Sequence, residues 1–504
     1  MDKIKVKKGS QNMKNSTKIQ SVKLTDSTAS IMKLVDELLD ATSTISNSAS
    51  VNEQWSIHLV IADLLFKIKT LEAEFGLKPL SQRNDQAIEK LTKWAVKNDA
   101  ILNGVEVYQL DDGTYGMKSK QNLSIGEKIV IVPKTLMITE ENILSSPLRK
   151  LHSQDMMLRN MPNVALAIFI LVESLRKDKT SFWNPYLSTL PESYSTPVYF
   201  EIADLEALRG SPTLEAALKL NRNIARQYAY FKKLFQLSKD PASLILKDTF
   251  TYEYYRWAVS SLMSRQNFIP SLDNSSNSIS ALIPLWDMFN HHNGKLSTDF
   301  IKSDNTCVCY ADRDYSAADQ VFIFYGVRTN ADFLVHNGFV YADNEHDAVK
   351  IRLGVSKSDP LYALRYRLLQ TLSLPALAEF SLTPGPCPVD GKLLAFVRIF
   401  NMDKKTLDEW IGQEEKHCLQ LTRTDMSEGA LDVSLEIKCW QFLQIRISLL
   451  LRQYPPTAAA VDGSKEKQPP KFQRLASTLI GLEKDILNNA LEYVQKCING
   501  MLRD

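Results

Sequence analysis

The feature that most constrains this chain is a hydrophobic period that changes twice. Short alternating or β-branched segments stand at 105–110, 115–119 and 128–132, with Asp112-Gly113 and Ile125-Gly126 as turn signals between them. Comparable segments resume only at 281–285, 306–311 and 320–325. From about Glu140 to Ser264 the apolar spacing is helical instead, as in NVALAIFILVESLRK and RQYAYFKKLFQL. A helical excursion of that length between strands predicts one small antiparallel sheet made from two pieces of chain, with a helical insertion at about 139–265.

Helical spacing also flanks this region. It precedes the sheet in Ile31, Leu34, Val35, Leu38 and Leu39 and again in Leu59, Ile61, Leu64, Leu65 and Ile68. It follows the sheet in amphipathic runs at 361–372, 391–400, 437–454 and 475–503, broken by a polar, proline-bearing loop at 455–471. The expected organisation is therefore a disordered basic tail at 1–25, a helical region at 26–100, the split-sheet domain at 101–345 and an all-α domain at 346–504. The fold class is α+β.

Composition removes several functions. Lysine plus arginine (60) nearly balances aspartate plus glutamate (58), so no electrostatic footprint for nucleic acid or anionic lipid is expected. The longest apolar run, 164–172, ends at Glu173 and falls far short of the roughly 20 residues that span a bilayer. It reads as a buried helix. The opening MDKIKVKKGSQNMKNSTK has no apolar segment behind it, so it is not a secretory signal, and a cytoplasmic, also nuclear, monomer is expected. Six cysteines without a CxxC pair predict reduced thiols and no structural zinc. Cys307 and Cys309 alternate onto one face of a strand, without the further ligands that zinc needs.

The common catalytic signatures are missing. There is no G-x-G-x-x-G, no HExxH and no G-x-S-x-G; Gly385 with Gly391-Lys392-Leu393 departs from a P-loop in spacing and lacks its Ser/Thr. Three polar clusters at the edges of apolar segments remain. They are Ser264-Arg265-Gln266-Asn267, then Ile283-Pro284-Leu285-Trp286-Asp287-Met288-Phe289-Asn290-His291-His292, and then Val321-Phe322-Ile323-Phe324-Tyr325-Gly326-Val327-Arg328-Thr329-Asn330.

The second and third clusters resemble the asparagine-histidine and terminal tyrosine segments of SET-domain methyltransferases, and Asn337-Gly338-Phe339 is similar to the element that follows them. The split sheet, the insertion and the helical C-terminal region resemble the branch that includes the Rubisco lysine methyltransferases. Within that branch, 181–200, 225–236, 250–270 and 281–294 look like the actin-histidine N-methyltransferases, and the likeness runs from about Arg83 to at least 360.

The resemblance implies a SET core with a pseudoknot at 101–345 and a substrate-binding C-terminal domain. It implies S-adenosyl-L-methionine as methyl donor and actin as protein substrate, methylated on the tele nitrogen of a histidine. Residues that match the family's donor contacts are Arg83, Arg265, the backbone of Asp287, Met288, Phe289, Asn290 and His291, and Asn337, Gly338 and Phe339. Gly113, Thr114 and Tyr115 occupy a further donor-contact segment, but here the chain departs from the family's Glu-Gly-Phe-Gly. An arginine can grip a carboxylate in bidentate fashion, and backbone groups can read an adenine.

For catalysis and substrate binding the matching residues are Tyr325, Asn267, Trp286 and Arg328. A carboxamide both donates and accepts, so Asn267 can hold one imidazole nitrogen and leave the other lone pair facing the methyl. Trp286 offers a flat wall, the Tyr325 hydroxyl an orienting oxygen, and Arg328 a contact to peptide carbonyls. Taken singly, each residue has a plainer reading. Arg265 suits a surface ion pair, Asp287 a cap, Asn267 a helix C-cap, His291 and Trp286 the core, and Tyr325 a wet strand edge. Adjacent His291 and His292 diverge on helix or strand, so no metal is expected. Protein-lysine methylation on the same scaffold and a silent peptide-binding module remain the alternatives.

Overall fold

The computed structural model describes residues 27–46, 49–176, 181–271, 278–424, 432–455 and 469–502. The tail expected at 1–25 and most of the loop at 455–471 lie outside them. The chain forms two compact units. One takes the chain up to Ile202 with Ala217–Gly326 and His336–Gly338; the other takes Ala203–Ala216, Val327–Val335 and Phe339 onward.

The first unit opens with three helices, α1 (27–43), α2 (Val51–Ala73) and α3 (Asp85–Lys97). Ser50 and Glu53 form a capping box at the start of α2, and the Asn84 carboxamide caps α3. Near the end of α2 the buried Glu72 accepts from Tyr228 Oη (2.6 Å) and the Tyr252 amide (2.9 Å), with Lys232 Nζ at 3.4 Å. This ion pair fastens the entry helices to the insertion.

The strands are β1 (Ile101–Leu102), β2 (Val105–Gln109), β3 (Tyr115–Ser119), β4 (Lys128–Pro133), β5 (Ile138–Thr139), β6 (Asn267–Pro270), β7 (Ser278–Leu282), β8 (Asn290–His291), β9 (Thr298–Ile301), β10 (Thr306–Tyr310) and β11 (Gln320–Ile323). They make three small sheets, ordered β1-β4-β10-β9, β2-β3-β11-β8 and β5-β7-β6, where the sequence pointed to one. All pairings are antiparallel except β8 with β11, which is parallel. Alternation marks a strand but encodes neither its partner nor its direction. The two halves of the chain meet where β4 pairs with β10 and β3 with β11. Cys307, Val308 and Cys309 of β10 are all buried, so this strand is covered on both faces, and burial pushes the Cys307 thiol up to about 12.

The insertion is mainly helical. Helix α4 (Pro162–Leu175) starts on a proline, and Val164 through Glu173 are all buried, which is why its sequence lacks a polar face. It packs against α6 (Tyr252–Arg265), which the Thr251 hydroxyl caps; the short α5 (Asn184–Leu187) lies between them in the chain. No described helix is long and apolar enough to cross a membrane.

The second unit is mostly helical: α7 (Tyr362–Thr371), α8 (Gly391–Asn401), α9 (Val433–Leu451) and α10 (Lys471–Met501). It is not all-α, however. Strands β12 (Val349–Gly354) and β13 (Leu377–Leu382) pair antiparallel along six residues, and β12 alternates buried and exposed side chains. The alternation Val349, Ile351, Leu353 was present in the sequence and is the strand signal that the helical expectation passed over.

Glu483 of α10 is buried, with Ser211 Oγ (2.9 Å) and Thr213 Oγ1 (3.2 Å) on one carboxylate oxygen and Tyr454 Oη (3.0 Å) on the other. Burial outweighs these three donors and, with Asp347 adding to it, pushes the carboxyl up to about 7. A folded-state value above the unfolded one contributes stability that is present below about pH 4.5 and lost as pH rises through about 7. Glu483→Gln should remove this dependence, leaving the variant more stable than the wild type at pH 8 by up to about 3 kcal/mol. Thermal unfolding of both proteins at pH 5 and pH 8 checks it. An equal loss of stability in both over that interval would show that Glu483 is not the titrating group.

Candidate active site

The site is built where the chain leaves α6. Arg265 is the last residue of that helix, Gln266 turns extended, and Asn267 begins β6. Asn267 is therefore a strand residue and not a helix cap; its Nδ2 donates to the Arg265 carbonyl at 3.0 Å. Asn337 Nδ2 donates to the neighbouring carbonyl of Ser264 at 3.1 Å, which draws a third segment to the same helix end. Gly338 follows at φ +81°, and a Cβ there would meet the Ser195 backbone at 2.8 Å, so only glycine fits.

The Asn290-His291 segment enters through Leu285, a buried non-glycine residue at φ +68°. Such a conformation is strained and persists only where its surroundings enforce it. It turns the chain into the single 3-10 turn Trp286–Met288, with Trp286 buried, and on to β8. There Asn290 lies opposite Phe322 and His291 opposite Ile323 of β11. Strand β11 ends at Ile323, so Tyr325 stands two residues beyond it, where the sequence placed it at the strand's end. The Tyr325 amide donates to His291 Nδ1 at 3.3 Å, and its hydroxyl donates to the Phe289 carbonyl at 2.6 Å. Both ends of Tyr325 are thus pinned to the segment that runs beside it.

Two half-buried guanidiniums face one carboxylate. Arg265 Nε lies 3.2 Å from Asp287 Oδ2, Arg265 Nη1 donates to Ser264 Oγ at 2.7 Å, and its guanidinium stacks over Tyr194 at 5.6 Å. Tyr186 Oη donates to the same Asp287 oxygen at 2.8 Å. Arg83 stacks over Tyr115 at 5.0 Å, while its Nη2 reaches only the weakly accepting Met288 sulfur at 3.1 Å. Burial and the charge of Arg265 push the Arg83 guanidinium down to about 10, against the pull of Asp287. Burial opposes the charge on Arg265 as well, but Tyr194 and Asp287 hold it above its ordinary value. Burial raises the Asp287 carboxyl, and Arg265 and Tyr186 draw it back.

The expected residues are not all drawn into this cluster. Tyr115 is, through Arg83 and through its own hydroxyl on Asp85 at 2.8 Å. Gly113 and Thr114 sit at the exposed tip of the β2–β3 hairpin, where Thr114 spends its hydroxyl and its amide on Asp112 Oδ1 at 2.6 and 2.9 Å. Arg328 and Phe339 belong to the second unit, where Asn344 Nδ2 donates to the Arg328 carbonyl at 2.8 Å and Phe339 stacks on Phe333 at 4.8 Å. Sequence reasoning missed Tyr186, Tyr194 and Asp85, whose signal is distance in space alone. No group of three or more His, Cys, Asp or Glu side chains suited to a metal occurs among the described residues.

The residues present suit a ligand that carries an anion. Arg83 Nε is buried and has no partner among the described residues, and neither has Asp287 Oδ1. A buried cation with an open donor is costly unless an anion completes it.

Comparison with known proteins supplies the remaining observations. Residues 114–326 match the family model described as the SET domain, and 356–487 match the one described as Rubisco LSMT substrate-binding. The actin-histidine N-methyltransferase of Gallus gallus is 40% identical over 466 residues, 92% of this chain and 77% of that protein. Those of Danio rerio and Rattus norvegicus are 38% and 39% identical, each across 92% of this chain and 76% of theirs. Among solved structures, the SET domain of LSMT bound to lysine and AdoHcy superposes with a TM-score of 0.67 at 19% identity, over 83% of this chain and 93% of that one. Rubisco LSMT bound to AdoMet gives 0.64 at 19% identity, over 83% and 93%. These two establish likeness of fold.

Proposed function

From the premise that this chain belongs to the SET-domain actin-histidine N-methyltransferase family, we propose that it uses S-adenosylmethionine to methylate the tele nitrogen of a histidine in actin. The observation that carries the reading is the parallel pairing of β8 with β11, beyond which Tyr325 is pinned to Phe289 and His291. A cytoplasmic, also nuclear, monomer that engages neither nucleic acid nor membrane is part of the same proposal, in keeping with the near-balanced charge.

Arg83 and Arg265 would hold the donor's carboxylate, Arg83 through the Nε that lacks a partner among the described residues. Backbone groups of Asp287 to His291 and of Asn337 to Gly338, with Tyr115, would bound the rest of it. When bound, S-adenosylmethionine supplies an electrophilic methyl on a sulfonium. Asn267, half-buried, would use its carboxamide to fix the tautomer of the incoming imidazole, and buried Trp286 would stand as a wall against the ring. The Tyr325 proton is committed to the Phe289 carbonyl, so its oxygen offers only lone pairs to the reacting centre. Arg328 would meet the bound peptide. Most of the rate gain then comes from alignment, since a histidine at neutral pH is already mostly free base.

Incubation with labelled donor and actin, followed by hydrolysis, should yield methylhistidine; methyllysine, or no label at all, would sink the reading. Proton chemistry gives an independent check. The imidazolium titrates near pH 6.5 and a lysine ammonium near 10.4, so a histidine enzyme should reach a plateau in single-turnover rate by about pH 7.5. A rate that still climbs about tenfold per pH unit between 7.5 and 9, with chemistry rate-limiting, would point to lysine.

A further inference from the structure

Arg265 does not hold its position alone. Its Nε is taken by Asp287 and its Nη1 by Ser264, while Tyr194 lies beneath the guanidinium plane. These contacts fix Nε and Nη1 of the fork. Asp287 in turn is fixed by Tyr186, whose hydroxyl donates to Oδ2 from a fully buried ring. Without that donor the carboxylate keeps, among the described residues, only the Arg265 ion pair at close range and can turn about its own axis, carrying Nε with it. Tyr194 is held from behind, sharing a hydrogen bond with Ser261 Oγ at 2.7 Å, and Ser261 Oγ also donates to the Trp257 carbonyl at 2.8 Å.

We propose that Tyr186 is a positioning residue for methyl-donor binding: through Asp287 it locks the Arg265 guanidinium in the orientation that receives the donor's carboxylate. The inference rests on the donor reading above and adds to it the element that pre-organises the anion receptor. A guanidinium already locked has little side-chain freedom left to lose when the ligand arrives. The lock should therefore favour the amino-acid end of the donor and be indifferent to its nucleoside end.

Calorimetry of Tyr186→Phe tests this with two probes, S-adenosylmethionine and 5′-methylthioadenosine, which keeps the nucleoside but has no carboxylate. The variant should bind S-adenosylmethionine roughly fivefold to tenfold more weakly and 5′-methylthioadenosine as well as the wild type does. Wild-type affinity for S-adenosylmethionine would overturn the proposal, as would equal weakening of both ligands, the mark of a pocket that has merely sagged. Arg265→Lys, which keeps a cation beside Asp287 but loses the planar fork, completes a double-mutant cycle. In that background Tyr186→Phe should have no further effect, whereas additive losses would show that Tyr186 does not act through Arg265. If Arg265→Lys itself binds S-adenosylmethionine normally, or the wild type does not bind it, the donor reading fails and takes this proposal with it.

Discussion

Tyr325→Phe is expected to lower the single-turnover rate of methyl transfer by on the order of 10²-fold, the usual cost of misplacing one group at a reacting centre. The phenyl ring keeps its packing beside His291, whose centroid lies 5.2 Å away, so the fold should persist. What is lost is one oxygen, and with it the bond to the Phe289 carbonyl, worth about 1 kcal/mol of stability. The comparison is made at saturating donor with melting curves recorded in parallel. A folded variant that turns over at the wild-type rate would remove Tyr325 from the reaction and leave it as a clasp between β8 and β11.

The largest effect on stability should come from the second unit. Arg398 is 3% exposed and forms a two-pronged pair with Glu436, Nε to Oε1 at 2.7 Å and Nη2 to Oε2 at 2.9 Å. Its Nη1 donates to the carbonyls of Leu421 and Arg423, each at 2.7 Å. Glu436→Ala strands this buried cation and should cost about 3–5 kcal/mol. Replacing both partners with apolar residues of similar volume, as in Arg398→Met with Glu436→Leu, should cost much less, because no charge is left uncompensated. Denaturant unfolding followed by the fluorescence of Trp410 and Trp440, both buried in this unit, separates the two variants. Equal losses would mean that packing around the pair, rather than charge, sets its worth.

Much of this architecture is legible in the residues themselves. The switch of period at 140 and again near 265 reports the insertion, because burial on one face must recur with the geometry of the element. The clusters at 264–267, 283–292 and 321–330 stand out because polar groups there border apolar runs. Pairing is another matter. Nothing local in Phe322-Ile323 says that it runs parallel to Asn290-His291, and nothing in Tyr186 says that its hydroxyl finds Asp287. Such contacts are decided by packing between segments distant in the chain, where sequence patterns carry no register. Asn267 shows the same limit at short range: the end of α6 was readable, but whether the next residue caps the helix or starts a strand depended on β7 being there to pair with.

The late arrival of β10 also bears on how the chain is made. Strand β4 emerges from the ribosome with only the two-residue β1 to pair with, and its other edge waits for β10, on the far side of the whole insertion. At about 5–20 residues per second, synthesis of the intervening chain takes on the order of ten seconds. For that interval Lys128–Pro133, with Ile129, Val130, Ile131 and Val132 in a row, is an open apolar edge of the kind that recruits other chains. A message truncated within the insertion would therefore yield an aggregating half-sheet in place of a soluble fragment, and full-length expression should gain from slow synthesis or from a chaperone that covers strand edges.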